Sequence, residues 1–388
     1  MDKITTTLFG VVAMLALPAS APARETLEWL TDNSESFNGI EERIQLRSAP
    51  RTSYSYTVPR NAAERARSFN LEYGATGHRW AIPVWMQPQY IGIVGSADTT
   101  ITCDVDNYEF RNSSLALVYQ STTKWALVEI DTVGSGVLNL LAAVGTAFTE
   151  AYVMPVRVGF LRGGVTVNKG SYSEEADLRF VVEDNLGLTV ADPAQFLSND
   201  IYYDEQLSPD GDKYASAITN REDLADYQLG LIDRQTPWNY SRVQQNFARV
   251  FETPEEIQAF REWLHRRVGR YRSFWMPSFE NDLRKTNTGT VTTTLRWKRD
   301  GYDNWSNRTH IAIELKDGSW LPRTLSAISA FDSTTMQATL NTTINTLASN
   351  IRRISFLGLK RLASDTVQLD WIGNSVAKCN YSVIEISP

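Results

Sequence analysis

Histidines, cysteines and paired carboxylates are the residues with which this chain would do chemistry, and they are few or wrongly spaced. His78, His265 and His310 are the only histidines. They form no His-Glu-x-x-His motif, and no two share a metal-ligand spacing. His78 and His265 fall near the ends of two helical patterns, where a polar or charged ring suits the negative end of the helix dipole. Cys103 and Cys379 are the only cysteines, too few for a disulfide framework or a closed zinc site. Each lies in a β-like stretch, in opposite halves of the chain. They read as two buried free thiols, compatible with assembly in a reducing cytoplasm. There is no Gly-x-Ser-x-Gly elbow and no P-loop. Gly134-Ser135-Gly136 lacks the third glycine and the βα context of a dinucleotide site. Asp104 with Asp106, and Asp210 with Asp212, look like calcium loops but lack the spaced ligands and the closing glutamate, so they read as solvated turns. With 45 Asp and Glu residues, a glycosidase-type carboxylate pair is not legible in sequence, because such pairs are assembled in space. The expectation is a protein that is not an enzyme, with no catalytic, cofactor-binding or metal-binding residues.

The elements that would position any site are mostly β. Short runs at regular spacing, separated by Gly, Asn, Asp and Ser, read as strands of sandwiches or barrels. Examples are Ser114–Tyr119, Trp125–Ile130 and Val156–Phe160 in the first half, and Thr290–Trp297, His310–Leu315 and Ile354–Leu359 in the second. Two helices interrupt them. Asn61 with Glu64 has the spacing of a capping box. Thr253-Pro254-Glu255-Glu256 is sharper, adding a proline at the first helical position. Ile257, Phe260, Trp263, Leu264 and Val268 then recur at helical spacing, which predicts one buried face. Gly269 stands where a helix stop belongs.

The two halves resemble each other. Arg43 opens a stretch that runs through a helix to Trp85-Met86, and Arg234 opens one that runs through a helix to Trp275-Met276-Pro277. Their ends also match, Val156–Glu183 with Arg353–Glu385. A repeat of about 190 residues far exceeds the solenoid periods of about 20–50 residues and is the size of a domain. The reading is an apolar arm over 1–26, a first β-rich repeat over 27–185, an acidic linker or insertion over 186–227, and a second β-rich repeat over 228–388. The fold class expected is mainly β, with two tandem similar sandwich or barrel domains, each carrying one packed helix. Trp85, Met86, Trp275, Met276, Pro277, Arg43 and Arg234 are the candidate structural or interface residues. Recurrence within a repeat speaks for packing, so both tryptophans are expected in cores.

Composition narrows the partners. The chain has 388 residues, 42% hydrophobic and 11% aromatic, with 11 tryptophans and a net charge of −7. That acidity opposes specific nucleic-acid binding, which needs a basic patch, and docking on anionic lipid. The Leu8–Leu17 run with small residues after it is similar to a secretory signal peptide. It is too short for a membrane span of about 20 residues, so no membrane span is expected. Retained, such an arm packs on a neighbour or on its own first repeat.

Short stretches resemble one family. Arg24–Asp32, Gly39–Arg43 and Leu46–Arg51 look like the opening of minor tail proteins of long-tailed bacteriophages. Phe274–Leu283 is similar to the aromatic-proline segment of the distal-tail and baseplate-hub group. The resemblance implies a virion component made in the host cytoplasm, partnered by tail tube and tip proteins. It also implies a homo-oligomer, with a trimer favoured because two repeats in three chains give six similar units, and a hexamer possible. The reading from another class is an exported β-sandwich that binds or cleaves carbohydrate, motivated by the signal-like arm and the tryptophans.

Overall fold

The computed structural model describes residues 3–74, 77–170, 173–185, 188, 190–205, 215–226, 228, 230, 232–238, 241–300 and 308–387. Its first elements are β1 (Lys3–Thr6), β2 (Gly10–Met14), β3 (Ser20–Glu28), β4 (Thr31–Glu35), β5 (Glu41–Gln45), β6 (Arg51–Arg60), α1 (Ala62–Gly74) and β7 (Arg79–Pro83). Then come β8 (Gln89–Val94), β9 (Thr100–Thr102), β10 (Ser114–Ser121), β11 (Lys124–Gly134), β12 (Val137–Leu140), β13 (Phe148–Lys169) and β14 (Glu174–Val182). Between the halves lie β15 (Gln195–Phe196), β16 (Asn199–Asp200), β17 (Ala215–Thr219), β18 (Asp223–Asp226) and β19 (Ile232–Gln235). The second half has β20 (Arg242–Phe251), α2 (Pro254–Arg267), β21 (Phe274–Pro277), β22 (Thr290–Val291), β23 (Thr294–Lys298), β24 (His310–Leu315), β25 (Trp320–Ala330), β26 (Thr335–Leu340) and β27 (Thr346–Leu347). It closes with β28 (Ile351–Leu362), β29 (Thr366–Gly373) and β30 (Val376–Ser387). The fold is mainly β.

Strand pairing runs in the same order through both halves. In the first, β9, β12, β11, β10 and β13 lie side by side, and β13 also pairs with β7 and β14. Then β14 pairs with β6, and β6 with β3. In the second, β23, β26, β25, β24 and β28 lie side by side, and β28 also pairs with β21 and β30. Then β30 pairs with β20, and β20 with β17. The long β13 is matched by β28 and β29 together. β13 breaks register between Leu161 and Val165, at Gly163 and Gly164, both of positive φ; the other pair breaks at the gap between Leu362 and Thr366.

The helices follow the same plan. α1 follows β6 directly: Asn61 Oδ1 accepts from the backbone of Ala63 and Glu64 at 3.0 Å, and Glu64 returns a bond to the Asn61 N–H. α2 follows β20, with Thr253 accepting from Glu256 N–H at 3.3 Å and Pro254 opening the helix. Ile257, Phe260, Trp263 and Leu264 are buried, as their spacing predicts. The turn past α2 is left-handed at Val268, φ 51°, and Gly269, φ 63°, so the stop begins one residue before the glycine.

The largest core crosses between the halves. It joins Leu27, Tyr54, Trp80 and Phe180 with Phe251, Trp263, Leu369 and Val383. Each half adds a core of its own, around Ile101, Val118 and Phe148 in one and Leu295, Trp297 and Ile313 in the other. The apolar arm forms the β1–β2 hairpin, β2 runs parallel to β7, and Val12 to Leu17 are buried. No helix among the described residues is long and apolar enough to cross a membrane.

Candidate assembly interface

β3 and β29 are edge strands of different halves, and they pair antiparallel from Glu28 opposite Thr366 to Ala23 opposite Trp371. The alternation of β3 buries Ala23, Glu25 and Leu27 and leaves Arg24, Thr26 and Glu28 on the open face. Leu27 and Val367 face each other, each 3% exposed. On the open face Arg24 meets Asp370 at 2.7 Å, an exposed pair of little energetic weight.

The buried face of the junction is ionic. The Arg261 guanidinium of α2 donates to the Glu25 carboxylate of β3, and the Trp371 indole N–H reaches the same oxygen at 3.1 Å. Glu109 lies 3.6 Å from Arg261 and 3.0 Å from Arg157, which in turn binds Asp184 at 3.2 Å. Burial alone would raise the Glu109 carboxyl, but Arg261, Arg157 and Arg111 outweigh it and hold it at about 2. Burial wins at Glu25, which is raised despite Arg261. The His265 ring stands edge-on to Trp29 at 5.7 Å, and burial pulls its imidazole down to about 4.

The β4–β5 hairpin docks beside β3. Arg43 donates to the Arg270 carbonyl at 3.1 Å and to Ser273 Oγ at 2.9 Å. Glu41 accepts from Arg361 at 2.7 and 2.8 Å and from Arg242 at 3.0 Å. These bonds hold Glu41 below the usual carboxylate range, although burial works the other way. Asp365 closes the corner: its carbonyl accepts from Trp29 N–H at 2.9 Å, and its carboxylate accepts from Thr31 N–H at 2.9 Å and Arg270 N–H at 2.8 Å.

Of the residues singled out by sequence, Arg43 belongs to this junction. Arg234 occupies the matching rung of the β18–β19 hairpin: Arg43 faces Asn33, and Arg234 faces Leu224. Arg234 pairs with Glu222 there, and both side chains are exposed. Trp275 is buried, donates from Nε1 to the Phe196 carbonyl at 2.9 Å and packs on Phe196 and His310. Met276 and Pro277 are buried beside it in β21. Trp85 is half-buried, edge-on to Tyr119 at 5.3 Å, and Met86 is buried. The pairing of Trp85-Met86 with Trp275-Met276 needs correction. Both motif prolines end the strand after the helix, Pro83 opposite Val156 and Pro277 opposite Leu357. Ala81-Ile82 therefore matches Trp275-Met276, while Trp85 and Met86 lie beyond β7. The reason is that α1 and β7 are separated by fewer residues than α2 and β21.

The other sequence motifs resolve into structure. Gly134 to Gly136 is the β11–β12 turn, with Gly136 at φ 70°. Asp104 caps its own turn, accepting from Asp106 N–H at 3.0 Å. Asp210 and Asp212 lie outside the described residues. Cys103 is half-buried and Cys379 buried, neither in a disulfide; burial pushes the Cys103 thiol up to about 12 and Cys379 up as well. No group of three His, Cys, Asp or Glu residues that would hold a metal ion occurs among the described residues. No tryptophan among the described residues is exposed. A trough of about 530 Å³ lies on the polar face of the sheet near Arg24, Arg162 and Asp370, where Arg24 is matched to Asp370 and Thr57 to Asp177.

Glu25, Trp29, Arg261 and Asp365 carry the junction; Glu25 and Trp29 lie within the Arg24–Asp32 stretch, but no local pattern marks the partners of any of the four. The signal that would find them is the repeat itself, followed far enough to see which edge strand lacks a partner. No protein-family model matches the chain, and no curated protein matches it.

Proposed function

We propose that this chain is a non-enzymatic structural component of a bacteriophage tail tip, a baseplate hub or distal tail protein, that joins a six-fold tail tube to a three-fold tip. The observation that carries the reading is the β3–β29 pairing, which joins two similarly ordered strand sets head to tail within one chain. Two such sets per chain let three chains offer six similar units to a six-fold neighbour. The resemblance of residues 24–51 and 274–283 to minor tail proteins supports the same reading. So does the acidic charge of −7, which repels DNA phosphates from a conduit surface. The partners are then copies of this chain, with tail tube and tip proteins above and below.

The experiment is the native mass of the full-length protein. Three chains per particle supports the hub. Six favours a distal-tail ring. One chain at every concentration tested overturns the assembly reading.

A further inference from the structure

The internal junction uses one end of each strand set, and among the described residues the opposite ends are open. β17 and the β18–β19 hairpin stand to β20 as β3 and the β4–β5 hairpin stand to β6. Leu27 faces Thr52, and Ile218 faces Val243. At the other end, Val167 and Val58 flank Ala176 as Leu369 and Arg249 flank Cys379. By this register Val165 matches Val367, and Ile218 matches Leu27. Among the described residues β17 pairs with β20 alone, and the Val165–Lys169 end of β13 pairs with β14 alone.

Burial differs at the matched positions. Leu27 and Val367 are closed off by each other, whereas Ile218 is 75% exposed and Val165 half-buried. Arg261 and His265 meet the first set from α2. At the same steps from the N-cap of α1 stand Phe69 and Tyr73, which are exposed and stacked on each other at 6.0 Å. The β4–β5 hairpin is docked, while nearly every residue of β18 and β19 is exposed. An open strand edge with a bare β-branched side chain is a template for pairing with another chain. Contiguous exposed apolar side chains mark contact surfaces.

We propose that β17 and the β18–β19 hairpin of one copy dock on the Val165–Lys169 end of β13 and on α1 of a second copy. This contact repeats between chains the junction that β3 and the β4–β5 hairpin make with β29 and α2 inside one. The register carries over, with Ile218 opposite Val165 and Ser216 opposite Val167. The occupant is a second copy because this chain carries both complementary surfaces and has already mated them once. The contact is heterologous, so each added copy leaves one surface of each kind open until a ring closes. The inference rests on the homo-oligomer of the reading above and names its interface.

The test uses two full-length variants, Val165→Cys and Ile218→Cys, mixed and mildly oxidised. A disulfide-linked dimer on a non-reducing denaturing gel is expected from the mixture and from neither variant alone. Asn168→Cys mixed with Ile218→Cys, displaced by about 10 Å along the strand, should stay at background. Ile218→Asp should give a particle of one chain with the circular-dichroism spectrum of the wild type, because that side chain is open in the single chain. An oligomer that survives Ile218→Asp and gives no cross-link overturns the edge contact and leaves the tail reading standing. A wild-type monomer overturns both.

Discussion

Arg261 and Glu25 form an ion pair across the junction, one on α2 and the other on β3, and neither side chain reaches solvent. The Trp371 ring lies 5.5 Å below the guanidinium, and the Trp371 N–H shares the carboxylate. Such a pair gives little net stability over apolar packing, yet removing one partner strands a buried charge.

Arg261→Met should therefore lower stability by about 3–5 kcal/mol, because Glu25 is left without its cation. Adding Glu25→Gln should restore part of the loss. Urea denaturation of the two variants checks this. A single variant that unfolds like the wild type would show that the pair is not buried in solution.

His265 gives the junction a pH dependence. Burial holds the folded imidazole at about 4 against its ordinary 6.5. Between those values the unfolded chain binds a proton that the folded chain does not, so stability rises with pH through the window. The contribution is complete above pH 6.5 and is lost as pH falls toward 4. His265→Asn keeps an acceptor for the Leu188 N–H, which now donates to Nδ1 at 3.3 Å. Melting temperatures between pH 7 and pH 4.5 should fall less steeply for that variant, and parallel curves would contradict the assignment.

Trp275→Ala removes a buried ring and leaves the Phe196 carbonyl without its donor. A loss of about 3–5 kcal/mol is expected for an aromatic deletion of this kind. Trp85→Ala, at a half-buried site, should cost less. A loss at Trp85 as large as that at Trp275 in denaturant titrations would overturn this ranking.

Gly269 has φ 63°, and a Cβ there would lie 2.9 Å from the Trp29 Cβ and press on the Asp365 carboxylate. Gly269→Ala should cost about 1–3 kcal/mol through crowding and the left-handed backbone. Gly289→Ala, which meets nothing within 4 Å, serves as the neutral control. Comparable unfolding midpoints for the two would argue that the Trp29–Asp365 corner is loose.

Much of this architecture is legible in local chemistry. The Thr253–Glu256 cap, the apolar stripe from Ile257 to Leu264 and the strands over Ser114–Tyr119 and His310–Leu315 each depend on neighbours in sequence, and each forms as its spacing predicts. The place of Trp85 does not follow from such rules, because a few residues more or fewer between helix and strand shift the ladder without changing composition. Glu25 and Arg261 were equally opaque. A buried charge looks like a surface charge until its partner is known, and these partners lie 236 residues apart. Leu27 and Ile218 are both apolar residues on edge strands, and only the strand covering one of them separates their fates.

The β3–β29 pairing also bears on how the chain is made. Arg24 and Asp370 are 346 residues apart, so β3 leaves the ribosome long before the strand that covers it. At about 5–20 residues per second, that edge would wait on the order of tens of seconds, with Leu27 and the β6 face open to any other nascent chain. Non-local pairing of this kind is slow and exposed to aggregation. β29 thus acts as a closing clasp, and charged substitutions at Val367 and Leu369 that unseat it from β3 should reduce soluble yield.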